Sequence, residues 1–157
     1  MKILFVCLGN ICRSPLAQAI FNEKIRLLKL DHLFEADSCG TGNYNLGNTP
    51  DERTLHSAYK NGISVIHRAR QLQKHDLQNF DLILAMDKNN LQHILSLCKP
   101  EQALKVNLMR RYDPLGNGDV PDPYYGNERE FELVFAILNR SVDSLIKQLT
   151  ENQTTFF

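Results

Sequence analysis

Short apolar runs that alternate with segments of helical periodicity predict an α/β fold: a single domain with a four-stranded parallel sheet and helices on both faces. Three observations carry that expectation. Residues 3–6 and 80–86 are nearly unbroken apolar stretches, as strands buried on both faces require. Ala17, Ile20, Phe21, Ile25 and Leu28 recur at helical spacing directly after the first of these runs. Clusters of Gly, Asn and Pro separate the periodic segments, with no internal repeat, low-complexity tract or linker between them.

The elements follow in order. Residues 3–6 form the first strand, and Val6-Cys7-Leu8-Gly9-Asn10-Ile11-Cys12-Arg13-Ser14-Pro15 turns it through a tight loop into a helix. Ser14 is the expected N-cap, and Pro15 the first helical residue, where a missing N–H costs nothing. Residues 33–38 read as the second strand, and Gly40, Gly42, Asn43, Gly47, Asn48 and Pro50 mark a loop. A short helix runs from Asp51 to Asn61-Gly62, where the glycine supplies a left-handed C-cap. Residues 64–67 read as a brief extended piece, 80–86 as the third strand and 87–97 as helix. Residues 104–108 form a fourth strand in which Lys105 and Asn107 alternate with apolar residues. Pro114, Gly116, Gly118, Pro121 and Pro123 make 111–125 a long loop. Asn127 with Glu130 has the form of a capping box. The final helix buries Phe131, Val134, Phe135, Leu138, Val142, Leu145 and Leu149. Ligands of such sheets sit beyond the carboxyl ends of the strands, and Cys7 falls there.

Composition narrows the function classes. At 157 residues, spanning 1–157, the chain suits one domain with a proper core. A formal net charge of +0 offers no bulk attraction to nucleic acid or an anionic membrane. No apolar run approaches the ~20 residues of a membrane span. The start MKILFVCLGN is too short and too soon interrupted for a signal peptide. Four cysteines, Cys7, Cys12, Cys39 and Cys98, without a secretion signal suggest a reducing cytoplasm over a disulfide framework. The Cys7/Cys12 spacing fits no usual zinc pair, so no metal is expected.

The loop carries the chemistry. Main-chain N–H groups from Leu8 to Ser14 (Leu8, Gly9, Asn10, Ile11, Cys12, Arg13, Ser14) can turn inward, and the helix N-terminus adds its positive dipole end, giving an anion cradle. Gly9 and Asn10 both tolerate the left-handed backbone angles such a turn needs. Cys7 opens the loop and Arg13 closes it. The thiolate is the nucleophile in such chemistry, and a positive loop favours that form. The Arg13 fork matches two oxygens of a phosphoryl group, which a Lys cannot do. Cysteine attacking phosphorus is the reading. Ser14 can cap the helix or donate to the Cys7 thiolate, and local rules favour the cap. Asp122, between Pro121 and Pro123, reads as a turn residue, yet the chemistry demands a proton donor for a poor leaving group.

Cys-x5-Arg-Ser resembles the active-site loop of protein tyrosine phosphatases. The fuller string Val-Cys-x-Gly-Asn-x-Cys-Arg-Ser-Pro at the N-terminus is similar to the low-molecular-weight protein tyrosine phosphatase family. The likeness continues through Asp37-Ser38, His67-x-Ala69-Arg70-Gln71, Met86-Asp87 and Asp122-Pro123-Tyr124-Tyr125, nearly the whole chain. It implies strand order 2-1-3-4 and hydrolysis of phosphotyrosine and aryl phosphate monoesters through a phosphocysteine, without a cofactor. Cys7 is then nucleophile, Arg13 the phosphoryl clamp, Asp122 the general acid and Ser14 the thiolate's donor. Tyr124 and Tyr125 line a slot for an aromatic ring, with Tyr44 on the facing loop. His67 supports the phosphate loop near Asn10. Asp87 orients His67 or the acid loop, or simply caps a helix. Cys7 and Cys12 form a redox pair. Gln18 departs from the pattern, since relatives often carry Glu there. The partners implied are phosphotyrosine-containing proteins or small aryl phosphates, met by a monomer or weak dimer.

Three rival readings of this loop are set against the rest of the sequence. An arsenate reductase needs two further cysteines near one another, and Cys39 and Cys98 are distant in sequence. A phosphocysteine carrier typically lacks the closing Arg and needs no acid. A catalytically silent phosphate-binding module has no use for the intact nucleophile, Arg and acid.

Overall fold

In the computed structural model, residues 1–154 are described; the Phe156-Phe157 tail lies outside them. Strand β1 (Lys2–Cys7) is central, flanked by β2 (Glu35–Gly40) and β3 (Leu82–Ala85), with β4 (Val106–Leu108) beyond β3. All pairs are parallel and the order is β2-β1-β3-β4, as expected. Ile3 stands between Ala36 on one side and Leu82 on the other. The unbroken apolar runs arise because alternate residues serve two cores. Ile3, Phe5, Leu82, Leu84 and Met86 face α1 (Arg13–Leu27) and α6 (Glu128–Thr154). Leu4, Val6, Ile83 and Ala85 face the side that carries Leu77 of α3 (Lys74–Asn79) and Ile94 of α4 (Lys88–Leu97). Phe21 anchors the first core, its ring 5.9 Å from Phe5 and 6.1 Å from Phe34. No helix among the described residues is long and apolar enough to cross a membrane.

Several boundaries differ from expectation, each for a physical reason. Helix α1 begins at Arg13 with Cys12 at its N-cap position, so Ser14 is not the cap and Pro15 sits in the third helical position. The prolyl nitrogen is harmless there too, because the first turn's N–H groups have no intrahelical partner. The second strand starts two residues later than read, since its pairing with β1 runs from Glu35 to Gly40. Residues 64–67 form no strand. Helix α2 (Glu52–Lys60) is capped by Asp51 and stopped at Gly62, whose φ of +74° is the left-handed cap. The six-residue α3 and four-residue α5 (Pro100–Ala103) show no helical period in the sequence because neither completes two turns. Before α6, Glu130 accepts from Asn127 N–H as the expected capping box requires, but the Asn127 side chain caps Arg129 N–H, one residue earlier than the box would have it.

The loop after β4 opens with a 3-10 turn, Met109–Tyr112, and is pinned by Asp113. That carboxylate side chain is fully buried and accepts from Arg140 Nε at 2.7 Å and Arg110 Nε at 2.9 Å. The bonds from Arg140, the backbone N–H of Leu115 and Arg110 together outweigh burial and hold its pKa down at about 2. A depressed carboxylate contributes stability that is complete above its unfolded value near ~4 and is lost as pH falls through about 2. The contribution is on the order of 2 kcal/mol. Asp113→Asn is therefore expected to lower the urea midpoint at pH 7 and to flatten the decline of stability between about pH 4 and 2. Equal midpoints at pH 7 would exclude this role.

Candidate active site

The loop after β1 is held open by its neighbours. Thr41 N–H donates to Cys7 O at 2.9 Å, Gly42 N–H to Leu8 O at 2.9 Å and Asp51 N–H to Ile11 O at 2.8 Å. Asn45 Nδ2 donates to Gly9 O at 3.2 Å. With these carbonyls turned outward, planar trans peptides turn the following N–H groups, those of Leu8, Gly9, Asn10 and Cys12, inward. Asn10 N–H accordingly reaches Cys7 Sγ at 3.2 Å. Asn10 carries the left-handed turn at φ 56°, whereas Gly9 does not have a positive φ. The reason for glycine at position 9 is instead close approach, since a Cβ would stand 2.7 Å from Asn45 Nδ2. Gly40 beneath the loop is tighter still, a Cβ there lying 2.6 Å from Leu8 O, which is backbone and cannot swing away.

A directed set of hydrogen bonds ends on the thiol. Arg70 N–H donates to Asn10 Oδ1 at 3.0 Å, which fixes the amide's orientation. Asn10 Nδ2 must then donate, to Ser14 Oγ at 2.8 Å and Ser38 Oγ at 3.1 Å. Ser14 Oγ accepts there, so its own proton is free for Cys7 Sγ at 3.0 Å, with Cys39 O the longer alternative at 3.3 Å. His67 Nε2 lies 2.8 Å from Asn10 Oδ1, a carbonyl, so the hydrogen belongs on Nε2. Burial pushes the His67 imidazole down, Arg70 adds to this and Asp37 opposes it. Gln18 Oε1 accepts from the Ser38 hydroxyl at 2.7 Å, which ties the neutral amide into the same set.

Arg13 is 2% exposed and stays ionised. Burial penalises its charge, but Cys7, Asp87 and Asp122 together raise its pKa. Its Nη1 donates to Asp87 Oδ2 at 2.7 Å and to Val120 O at 2.9 Å, and Nη2 stands 3.6 Å from Asp122 Oδ2. Asp87 is thus both the N-cap of α4, through Asn90 N–H, and the carboxylate that aims Arg13. It does not orient His67, whose partners are Asn10 and Ser38.

These elements enclose a cleft of about 370 Å3 lined by residues 7–13, Tyr44, Asn45, Asp122, Tyr124 and Tyr125. Ser14 and His67 lie beneath the loop and outside the cleft. The Tyr124 and Tyr125 rings meet edge-on with centroids 4.9 Å apart. Asp122 is half-exposed at the rim, and its Oδ1 accepts from Tyr124 N–H at 3.1 Å. Cys12 is buried, and that burial, reinforced by Asp51, pushes its thiol up to about 12. Ser38, Asn45 and Arg70 also hold the loop, a role that their sequence context does not signal. Ser38 and Arg70 lie in the Asp37-Ser38 and His67-x-Ala69-Arg70-Gln71 strings, while Asn45 has only its loop context.

A thiol under convergent donors, a charged Arg beside it and a carboxyl at the rim of the cleft have the geometry that cysteine-dependent phosphoryl transfer requires. Comparison with known proteins places it more closely. The family model for low molecular weight phosphotyrosine protein phosphatase matches residues 2–155, and the chain belongs to that family. It is 43% identical over 140 residues to the low molecular weight phosphotyrosine protein phosphatase of Gallus gallus, covering 85% of this chain and 86% of that protein. To the Schizosaccharomyces pombe enzyme of the same name it is 46% identical over 133 residues, covering 83% and 85%. The crystal structure of a protein tyrosine phosphatase from Entamoeba histolytica superposes with a TM-score of 0.94 at 38% identity, over 98% of this chain and 99% of that one. An arginine phosphatase, YwlE, whose C7S mutant was solved with a phosphorylated active-site serine, superposes at 0.88 with 26% identity, over 98% and 99%.

Proposed function

We propose that Cys7 is the nucleophile, Arg13 the phosphoryl clamp and Asp122 the general acid in hydrolysis of phosphotyrosine monoesters, the activity of this family. The Cys7 thiolate attacks phosphorus, and the P–O bond to the tyrosyl oxygen breaks as Asp122 gives that oxygen its proton. Water, losing its proton to the Asp122 carboxylate, then attacks the phosphocysteine; the P–S bond breaks and the thiolate returns. Arg13 has Nη1 engaged by Asp87 and Val120, so the Nη2 and Nε edge is the one assigned to the equatorial oxygens, alongside the inward N–H groups from Leu8 to Ser14. Preorganised donors of this kind are usually the largest single contribution. Asn10, Ser14, His67 and Asp87 hold the site, and Tyr44, Tyr124 and Tyr125 form the ring slot.

The convergence of Asn10 N–H and Ser14 Oγ on Cys7 Sγ carries the reading. The walls of the cleft favour an aryl ester over phosphoarginine: Leu8, Ile11 and three tyrosines flank it, and among the described residues Asp122 is the one acidic group in its lining. Against an arsenate reductase, Cys39 is wholly buried near the carboxyl end of β2, while α4 carries Cys98 back from the site. The enzyme is proposed to act in the cytoplasm, as a monomer or weak dimer, on phosphotyrosine-containing proteins or small aryl phosphates without a cofactor. Turnover of phosphotyrosine peptide, phosphoarginine, p-nitrophenyl phosphate and arsenate, each with EDTA present, tests this. Preference for the aryl esters, undiminished by EDTA, is expected; preference for phosphoarginine or thiol-dependent arsenate reduction overturns it.

Cys7 and Cys12 are proposed as a redox pair. Peroxide converts the Cys7 thiolate to a sulfenic acid, and the Cys12 thiol displaces water from it to give a disulfide. Burial raises the Cys12 pKa to about 12 and keeps it a thiol at neutral pH. Peptide mass mapping after mild peroxide should find the Cys7–Cys12 disulfide and activity restored by dithiothreitol. Irreversible sulfinic acid on Cys7 alone would discard the pairing.

A further inference from the structure

Arg53 joins the two loops that the chemistry needs in register. Its guanidinium pairs with Asp51, Nε to Oδ1 at 3.0 Å and Nη2 to Oδ2 at 2.9 Å. Asp51 in turn donates its backbone N–H to Ile11 O of the phosphate loop at 2.8 Å. On the other side, the same guanidinium lies 5.5 Å from the centroid of the Tyr124 ring and 4.5 Å from that of Phe131, both within cation–π range. Its Nη1 also reaches Gly126 O at 3.5 Å. Asp122 lies between two anchors of its loop. Upstream, Val120 is buried and held by Met86 O at 2.7 Å and by Arg13 Nη1 at 2.9 Å. Downstream, Tyr124 and Gly126 meet α2 through Arg53.

We propose that Arg53 is a positioning residue that, through Tyr124 and Gly126, sets the height of the Asp122 carboxyl above the phosphate loop. The proposal rests on Asp122 as the general acid. A planar fork is needed because one group must pair bidentately with Asp51 while presenting its face to two rings, which a point-charge ammonium cannot do. A general acid acts only from hydrogen-bond reach of the leaving oxygen, and a displacement of ~1 Å can cost up to ~10²-fold.

Leaving-group selectivity separates this role from mere support of the fold. In Arg53→Gln, kcat/KM for phenyl phosphate is expected to fall roughly ten- to a hundredfold. That for p-nitrophenyl phosphate, whose leaving group departs more readily unaided, should fall severalfold less, with inhibition by inorganic phosphate unchanged. On an Asp122→Ala background the same substitution should add almost nothing, because residues acting as a unit are not additive. Arg53→Lys keeps the stem and the charge but loses the fork; it should be intermediate, and it carries the test if the glutamine variant does not fold. Equal losses on both esters, additivity with Asp122→Ala, or weakened phosphate inhibition overturns the proposal. If Asp122→Ala itself shows no leaving-group dependence, the acid assignment falls and takes this proposal with it. If Asp122→Ala shows that dependence and Arg53→Gln does not, only Arg53 loses its role.

Discussion

Cys7→Ser should abolish phosphotyrosine turnover while inorganic phosphate or vanadate still binds. A serine hydroxyl in this loop has no general base beside it, because Ser14 offers a proton and Asn10 N–H offers another. Both groups are donors and cannot take a proton from an alcohol. The cradle itself is main chain and survives the exchange of sulfur for oxygen. Residual hydrolysis within tenfold of the parent enzyme would sink the covalent mechanism. Arg13→Lys should also be severe, by roughly 10²–10³ in kcat, despite the retained charge. One ammonium cannot bond Asp87 and Val120 O, stay near Asp122 and grip two phosphoryl oxygens at once. A mild effect there would mean that Arg13 organises Asp87 and the acid loop without touching substrate.

The parts legible in the sequence are those whose chemistry is local. Cys7 and Arg13 belong to one short loop that follows a strand, so their spacing carries the phosphate cradle by itself. Residues 3–6 and 80–86 advertise burial on two faces by leaving out polar alternation. Ser14 shows the limit of local rules: beside Pro15 it satisfies every requirement of a helix cap, yet Asn10 and Cys7 claim its hydroxyl once the loop closes. Asp87 is a cap and an Arg13 partner together, and only the first role can be read along the chain. Ser38, Asn45, Arg53 and Arg70 look like ordinary polar residues because each acts on a loop far away in sequence. Gly40 is a plain loop glycine until β2 pairs with β1 and brings it against Leu8 O. Tertiary contact decides all of these.

Asp122→Ala should cost most where the leaving group most needs a proton. The carboxyl sits at the rim of the cleft, beside Tyr124 and Tyr125 and 3.6 Å from Arg13, on a loop bounded by Pro121 and Pro123. Phosphotyrosine releases a phenol of pKa ~10, so its kcat/KM should drop by roughly 10²–10⁴. A nitrophenolate leaves far more readily unaided, so the same substitution should cost p-nitrophenyl phosphate less. The comparison belongs in kcat/KM, which covers steps through formation of the phosphoenzyme and excludes its later hydrolysis. The parent enzyme's acidic limb should reflect thiolate or substrate ionisation and survive the change. Its basic limb reports loss of the proton to be donated, and in Asp122→Ala that limb should vanish. Equal losses on both esters with the basic limb intact would leave Asp122 as a turn residue, held by Tyr124 N–H, and the proton would have to come from another group.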